Sequence, residues 1–115
     1  MITLKEYQHR AQQTCVVPAD RPLGDVAGTA YPMLGLVEEI GEIAGKLKRV
    51  VREGGGIITP EVRADLTREI GDALWYLGRL SGILGISLQV AAEENLKKVE
   101  DRFARGVVKG EGDNR

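Results

Sequence analysis

Two short acidic clusters carry the chemistry this sequence offers. Glu38, Glu39 and Glu42 lie in Gly35-Leu-Val-Glu-Glu-Ile-Gly-Glu42, and Glu69-Ile-Gly-Asp72 begins 27 residues after Glu42. On an α-helix residues i and i+3 share a face, so Glu39 pairs with Glu42 and Glu69 with Asp72. Four carboxylates crowded together repel one another unless a hard cation neutralises them, and oxygen-only ligands suit Mg²⁺ or Mn²⁺. The spacing reads as a divalent-metal site between two helices, formed by Glu39, Glu42, Glu69 and Asp72. Metals held this way usually manage phosphates. The competing reading is that the glutamates form solvated helix faces, with Lys46 and Arg49 offering partial relief. Like charges at Glu38, Glu39 and Glu42 destabilise a helix, however. Each cluster also adjoins an interior glycine, Gly41 or Gly71.

Two further stripes extend this chemistry. Asp65, Glu69, Asp72 and Tyr76 follow one another at spacings of four, three and four. Further on, Asn95, Lys98 and Arg102 share a stripe, with Arg105 beyond. Its cations suit phosphate oxygens that a carboxylate-bound Mg²⁺ does not reach, although helix lysines are more often simply solvated.

Other chemistries fail on composition. A carboxylate-bridged di-iron centre needs Glu-x-x-His from two helices, and the only histidine, His9, stands outside any such spacing. The same lack removes Ser/His/Asp and Cys/His catalysis. Gly54-Gly55-Gly56 lacks the Gly-Lys-Ser/Thr ending of a phosphate loop. The lone Cys15 reads as a small hydrophobe, excludes an internal disulfide and fits a reducing compartment. A net charge of −1 argues against duplex nucleic acid as a partner. No apolar run approaches the ~20 residues of a membrane span, and the N-terminus lacks a secretory segment, so the cytoplasm is the expected location.

The elements that must position these residues are helices. The 115 residues suffice for one domain, taken as 1–105, with 106–115 an irregular C-terminal tail. Thr3 and Glu6 open a first helix as a capping box, and it is expected to run to about Val17. Pro18 to Gly28 reads as a loop. A second helix spans Ala30 to Arg52, with Met33, Leu36, Val37, Ile40, Leu47 and Val51 on its apolar stripe, and Gly54-Gly55-Gly56 stops it. Thr59 caps a third helix, Pro60 takes its first position, and Val62, Leu66, Ile70, Leu74, Leu77 and Leu84 make its core stripe. Gly85 breaks it. Ser87 caps a fourth, with Leu88, Ala92, Leu96, Val99 and Phe103 facing inward. Nothing alternates at period two for long enough to make a sheet. The expected fold is all-α: antiparallel helices in a four-helix-bundle-like arrangement, completed by homodimerisation because the core is thin. The glycines inside the helices (Gly41, Gly45, Gly71, Gly78 and Gly82) are expected to permit close backbone approach, offsetting their cost of about 1 kcal/mol each against alanine.

These residues resemble a family. Glu38-Glu39-x-x-Glu42, Glu69-x-x-Asp72 and the run Gly71-Asp72-Ala-Leu-Trp75-Tyr76-Leu, continued through Asn95, Lys98 and Arg102, are similar to the MazG-type all-α nucleoside triphosphate pyrophosphohydrolases, over roughly Leu4 to Arg105. The resemblance implies a Mg²⁺-dependent enzyme that cuts a nucleoside triphosphate between the α and β phosphates, leaving the monophosphate and pyrophosphate, in nucleotide-pool house-cleaning. It implies metal ligands at Glu39, Glu42, Glu69 and Asp72, and at Glu38 a group that orients a water or a second metal. It also implies a substrate-side tyrosine at Tyr76, and dimers or dimers of dimers. The chemistry agrees, because phosphoanhydride hydrolysis needs neutralised phosphate charge and an in-line water rather than a protein nucleophile. A carboxylate such as Glu38 can take the proton. A base pocket would draw on Gln8, with Tyr7, Thr14, Trp75 and Tyr31 as further candidates, and the sequence does not choose among nucleotides. The alternative function is a non-catalytic, metal-stabilised helical interaction or regulatory module.

Overall fold

The computed structural model describes residues 1–15 and 26–107. Four α-helices follow in order: α1 (Leu4–Gln13), α2 (Ala30–Glu53), α3 (Pro60–Ile83) and α4 (Leu88–Ala104), with a single 3₁₀ turn, Val26–Thr29, leading into α2. The described residues contain no strand. The fold is all-α with antiparallel packing, as the periodicity requires.

Three helices begin where a hydroxyl can accept an otherwise unpaired backbone N–H. Thr3, Thr59 and Ser87 accept from the amides of Glu6, Val62 and Val90 at 3.1, 3.2 and 3.3 Å. Pro60 occupies the first position of α3. At the end of α2 the amides of Gly54 and Gly56 both return to the Val50 carbonyl, at 3.0 and 3.1 Å. That closure requires the left-handed backbone of Gly55, φ +64°.

The helix α1 stops at Gln13, short of the expected Val17. The Thr14 amide bonds three residues back to Ala11, tightening the last turn. The Thr14 hydroxyl donates to the Ala11 carbonyl at 2.8 Å and accepts from the Trp75 indole N–H at 2.9 Å, which fixes the end of α1 against α3. The expected loop from Pro18 lies outside the described residues as far as Asp25; its end is the 3₁₀ turn.

The antiparallel pair α2–α3 is the most extensive packing, with α1 laid across α3 and α4 leaning on α1. Among the described residues α4 makes no packing with α2. The hydrogen bonds between α1 and α4 fall in or beside the first turn of α4: Lys5 N–H donates to Gln89 Oε1, and Leu88 N–H donates to Gln8 Oε1. A helix of ten residues is only about 15 Å long, so α1 supports only the start of α4.

The core is thin. Ala11, Val50 and Ala73 are the buried hydrophobic side chains among the described residues, and none of the large ones is fully buried. Much of each apolar stripe stays in the open within one chain: Val37, Ile40, Ile70, Leu96 and Phe103 are each more than half exposed. On α4 the expected inward face is reversed near its end, where Phe103 is exposed and Arg102 is buried.

The expected role of the interior glycines needs correcting at Gly41, Gly45 and Gly71. A side chain added at Gly41 or Gly71 would meet nothing, and one at Gly45 only the end of Arg49. Close approach occurs as expected at Gly78 and Gly82, both against α1, and also at Gly35. The two acidic clusters face each other through the register of α2 against α3, without a glycine-lined crossing at Gly41 and Gly71.

Candidate metal and nucleotide site

As α2 runs forward, the facing residues of α3 run back: Gly35 meets Tyr76, Glu39 meets Asp72 and Glu69, and Lys46 meets Glu69. This register converts two i, i+3 patterns into one cluster. Glu39, Glu69 and Asp72 each offer a carboxylate oxygen, and the three oxygens lie within 4.8 Å of one another. Glu39 and Glu69 are half-buried and Asp72 is exposed. Glu42, one turn after Glu39, is exposed and stands outside this tight group, as does the exposed Glu38.

The electrostatics are those of concentrated negative charge. Glu39 has its pKa raised, first by burial, then by a hydrogen bond with Glu69 and by the charges of Asp72, Glu69 and Glu38. Lys46 reaches across the helix pair, its ammonium 3.3 Å from Glu69 Oε1 with both side chains largely covered. One lysine therefore offsets part of the repulsion among three carboxylates. An all-oxygen, hard donor set of this kind fits Mg²⁺ or Mn²⁺.

Aromatic residues wall the cluster. Tyr76, one turn after Asp72, packs edge-on to Trp75 with ring centroids 5.1 Å apart, and lies 6.4 Å from the ring of Tyr31. Burial raises the Tyr76 pKa, with contributions from Tyr31, Glu39 and Glu38, so its hydroxyl keeps its proton. Tyr7 reaches from α1 to the Gly71 carbonyl at 3.5 Å, and its pKa is raised by burial and by Asp72. Tyr7 and Tyr76 thus border the acidic group from two sides.

Other sequence-derived candidates lie apart from it. The Gln8 amide is committed to the connection between α3 and α4, donating to the Ile86 carbonyl at 2.9 Å and accepting from Leu88 N–H at 2.8 Å. Thr14 holds Trp75. Asn95 and Lys98 are exposed on α4, which does not pack on α2, and Arg102 is buried. Two participants were not assigned from sequence. In the sequence Lys46 reads only as partial relief for the glutamates of α2, and Gly35 only as the start of an acidic segment. The signal for Lys46 was its position seven after Glu39, on the same face. Gly35 gave no signal beyond being a glycine inside a helix.

Comparison with known proteins agrees with this geometry. The MazG nucleotide pyrophosphohydrolase domain matches residues 29–106, which takes in both acidic clusters and all of α4. The chain is also similar to the Gene 37 protein of Mycobacterium phage L5, 41% identical over 109 residues that span 95% of this chain and 96% of that protein. No solved structure gives a significant match. With a match over well more than half its length, the chain belongs to the MazG nucleotide pyrophosphohydrolase domain family.

Proposed function

We propose that this protein is a Mg²⁺-dependent nucleoside triphosphate pyrophosphohydrolase, cutting between the α and β phosphates to leave a nucleoside monophosphate and pyrophosphate. The observation that carries this reading is the convergence of Glu39, Glu69 and Asp72 within 4.8 Å, in a chain of this family. Those three residues hold the ion, and Glu42 supplies a fourth carboxylate from the edge. When bound, Mg²⁺ or Mn²⁺ neutralises and polarises the phosphate oxygens.

The protein's own groups do the rest. Glu38, exposed beside Glu39, accepts the proton of the attacking water. Tyr76, kept protonated, donates a hydrogen bond to the bound nucleotide. Asn95 and Lys98 form the phosphate-side stripe of α4, with the buried Arg102 one turn beyond. Because α4 does not pack on α2 within one chain, that stripe serves the site in a homo-oligomer, a dimer or a dimer of dimers, in which the open apolar faces of α2, α3 and α4 are covered. Gln8 has a holding role at the α3–α4 connection rather than a part in base recognition. The proposed setting is nucleotide-pool house-cleaning in the cytoplasm.

The test is a panel of canonical and modified ribo- and deoxyribonucleoside triphosphates with Mg²⁺, scored separately for pyrophosphate and orthophosphate. Pyrophosphate with the matching monophosphate is the expected product pair. Orthophosphate alone would reject cleavage at the α–β bond, and no turnover across the panel would leave a non-catalytic, metal-stabilised helical module.

A further inference from the structure

Gly35 sits inside α2, one turn before Glu39, and is buried. A Cβ built on it would fall within the ring of Tyr76, well below van der Waals separation from Cε1 and Cζ and 2.6 Å from Cδ1. Among the described residues, comparable crowding at a helical glycine occurs only at Gly82, where the intruding atoms belong to the end of Gln12. A glutamine can swing away; a phenol ring moves only as a rigid plate. The Tyr76 ring therefore lies against bare α2 backbone, in a space that exists because residue 35 has no side chain. Trp75 packs on the ring from one direction and Tyr31 from another. The Tyr76 pKa is raised first by burial, then by Tyr31 and by the charges of Glu39 and Glu38.

A glycine at this position costs α2 about 1 kcal/mol relative to alanine, and the backbone there is ordinary helix, with no positive φ to require it. The notch for Tyr76 supplies the reason. We propose that Gly35 is a positioning residue for the nucleotide site: its missing side chain seats the Tyr76 ring against α2 and so holds the Tyr76 hydroxyl beside Glu38 and Glu39, where the bound nucleotide meets it. This rests on the functional reading above. Gly35 touches no substrate; it acts only through Tyr76.

The test is a double-mutant cycle on the full chain with Gly35→Ala, Tyr76→Ala and the two together. Trp75 is the only tryptophan and lies edge-on to Tyr76, so its fluorescence reports the ring's position without reference to activity. Gly35→Ala is expected to shift Trp75 emission in the direction that Tyr76→Ala does. It is also expected to raise KM about fivefold, the worth of one net hydrogen bond, with Mg²⁺ affinity unchanged. In the Tyr76→Ala background the notch is empty, so the same methyl should change neither reading. If Gly35 were an ordinary helix position, Gly35→Ala would leave KM and emission alone and stabilise the protein. That result, or effects that add in full across the cycle, would overturn the proposal. Should Gly35→Ala fail to fold, a folded double variant supports the notch, and an unfolded one overturns it. If the wild-type protein hydrolyses no nucleotide, the functional reading falls, while the fluorescence cycle still decides whether Gly35 places Tyr76.

Discussion

Each residue of the acidic group is costly without a cation. Neutral amides at the three convergent positions separate ligand function from folding. Glu39→Gln, Glu69→Gln or Asp72→Asn should cost at least about a hundredfold in activity, more than the 10–100-fold typical of supporting residues around a metal. Far-UV circular dichroism should stay unchanged, and the melting temperature in EDTA should rise for Glu39→Gln as repulsion is relieved. Glu42→Gln is the discriminating member. Standing outside the 4.8 Å group, it should lose less Mg²⁺ affinity, by calorimetry, than Glu39→Gln; an equal loss would make Glu42 a full ligand. The same repulsion gives a pH dependence. Because the Glu39 pKa is raised on folding, the folded protein holds that proton more tightly than the unfolded chain does. Its contribution to stability is complete below the ordinary carboxylate range and is lost as pH rises through the raised value. In EDTA the melting temperature should therefore fall over that interval. Saturating Mg²⁺ or Glu39→Gln should flatten the fall, and an identical slope with and without Mg²⁺ would count against a shared site.

Helix ends decide where these side chains stand. The start of α3 rests on the Thr59 hydroxyl accepting the Val62 amide, with Pro60 at the first helical position. Thr59→Ala should cost about 1 kcal/mol of unfolding free energy in urea titration, and Thr59→Ser should restore most of it. Loss of the cap frays a first turn remote from Glu69, so Mg²⁺ affinity should barely change. A large drop in affinity would mean that the register itself had slipped. At the other end of the molecule α1 works as a brace. The Gln8 amide and the Thr14 hydroxyl tie it to the α3–α4 connection and to Trp75.

One chain leaves an incomplete core. Apolar side chains on α2, α3 and α4 remain open, including Phe103 at 80% and Val37 at 63% of full exposure. In the proposed assembly these open apolar faces form the association surface. The proposed assembly predicts a light-scattering mass of twice or four times the chain mass at micromolar concentration; a monomer that retained full activity would remove the oligomer from the mechanism. The assembly also bears on α4. If its stripe serves the site in the oligomer, Lys98→Ala should raise KM about tenfold, the cost of a charged hydrogen bond, while Lys97→Ala should not. Equal effects would return both lysines to the solvated surface.

Helix periodicity, Thr and Ser caps and terminating glycines are local properties, so the sequence alone determined the all-α class, all four helix starts and the ends of α2 and α3. It also determined which carboxylates share a helix face, because i and i+3 are adjacent on any α-helix. The end of α1 was not legible, since it depends on Thr14 meeting Trp75, 61 residues away in the chain. Packing between helices was likewise a tertiary matter. The α2–α3 register drew Glu39, Glu69 and Asp72 together and left Glu42 at the edge. It sent Lys46 to Glu69 and gave the close approach to Gly35 rather than to Gly41 or Gly71. A helical pattern specifies a face but not the rotation and offset of the helix opposite. Those follow from which side chains fill the shared space, and here that space was set by a tyrosine lying on a glycine.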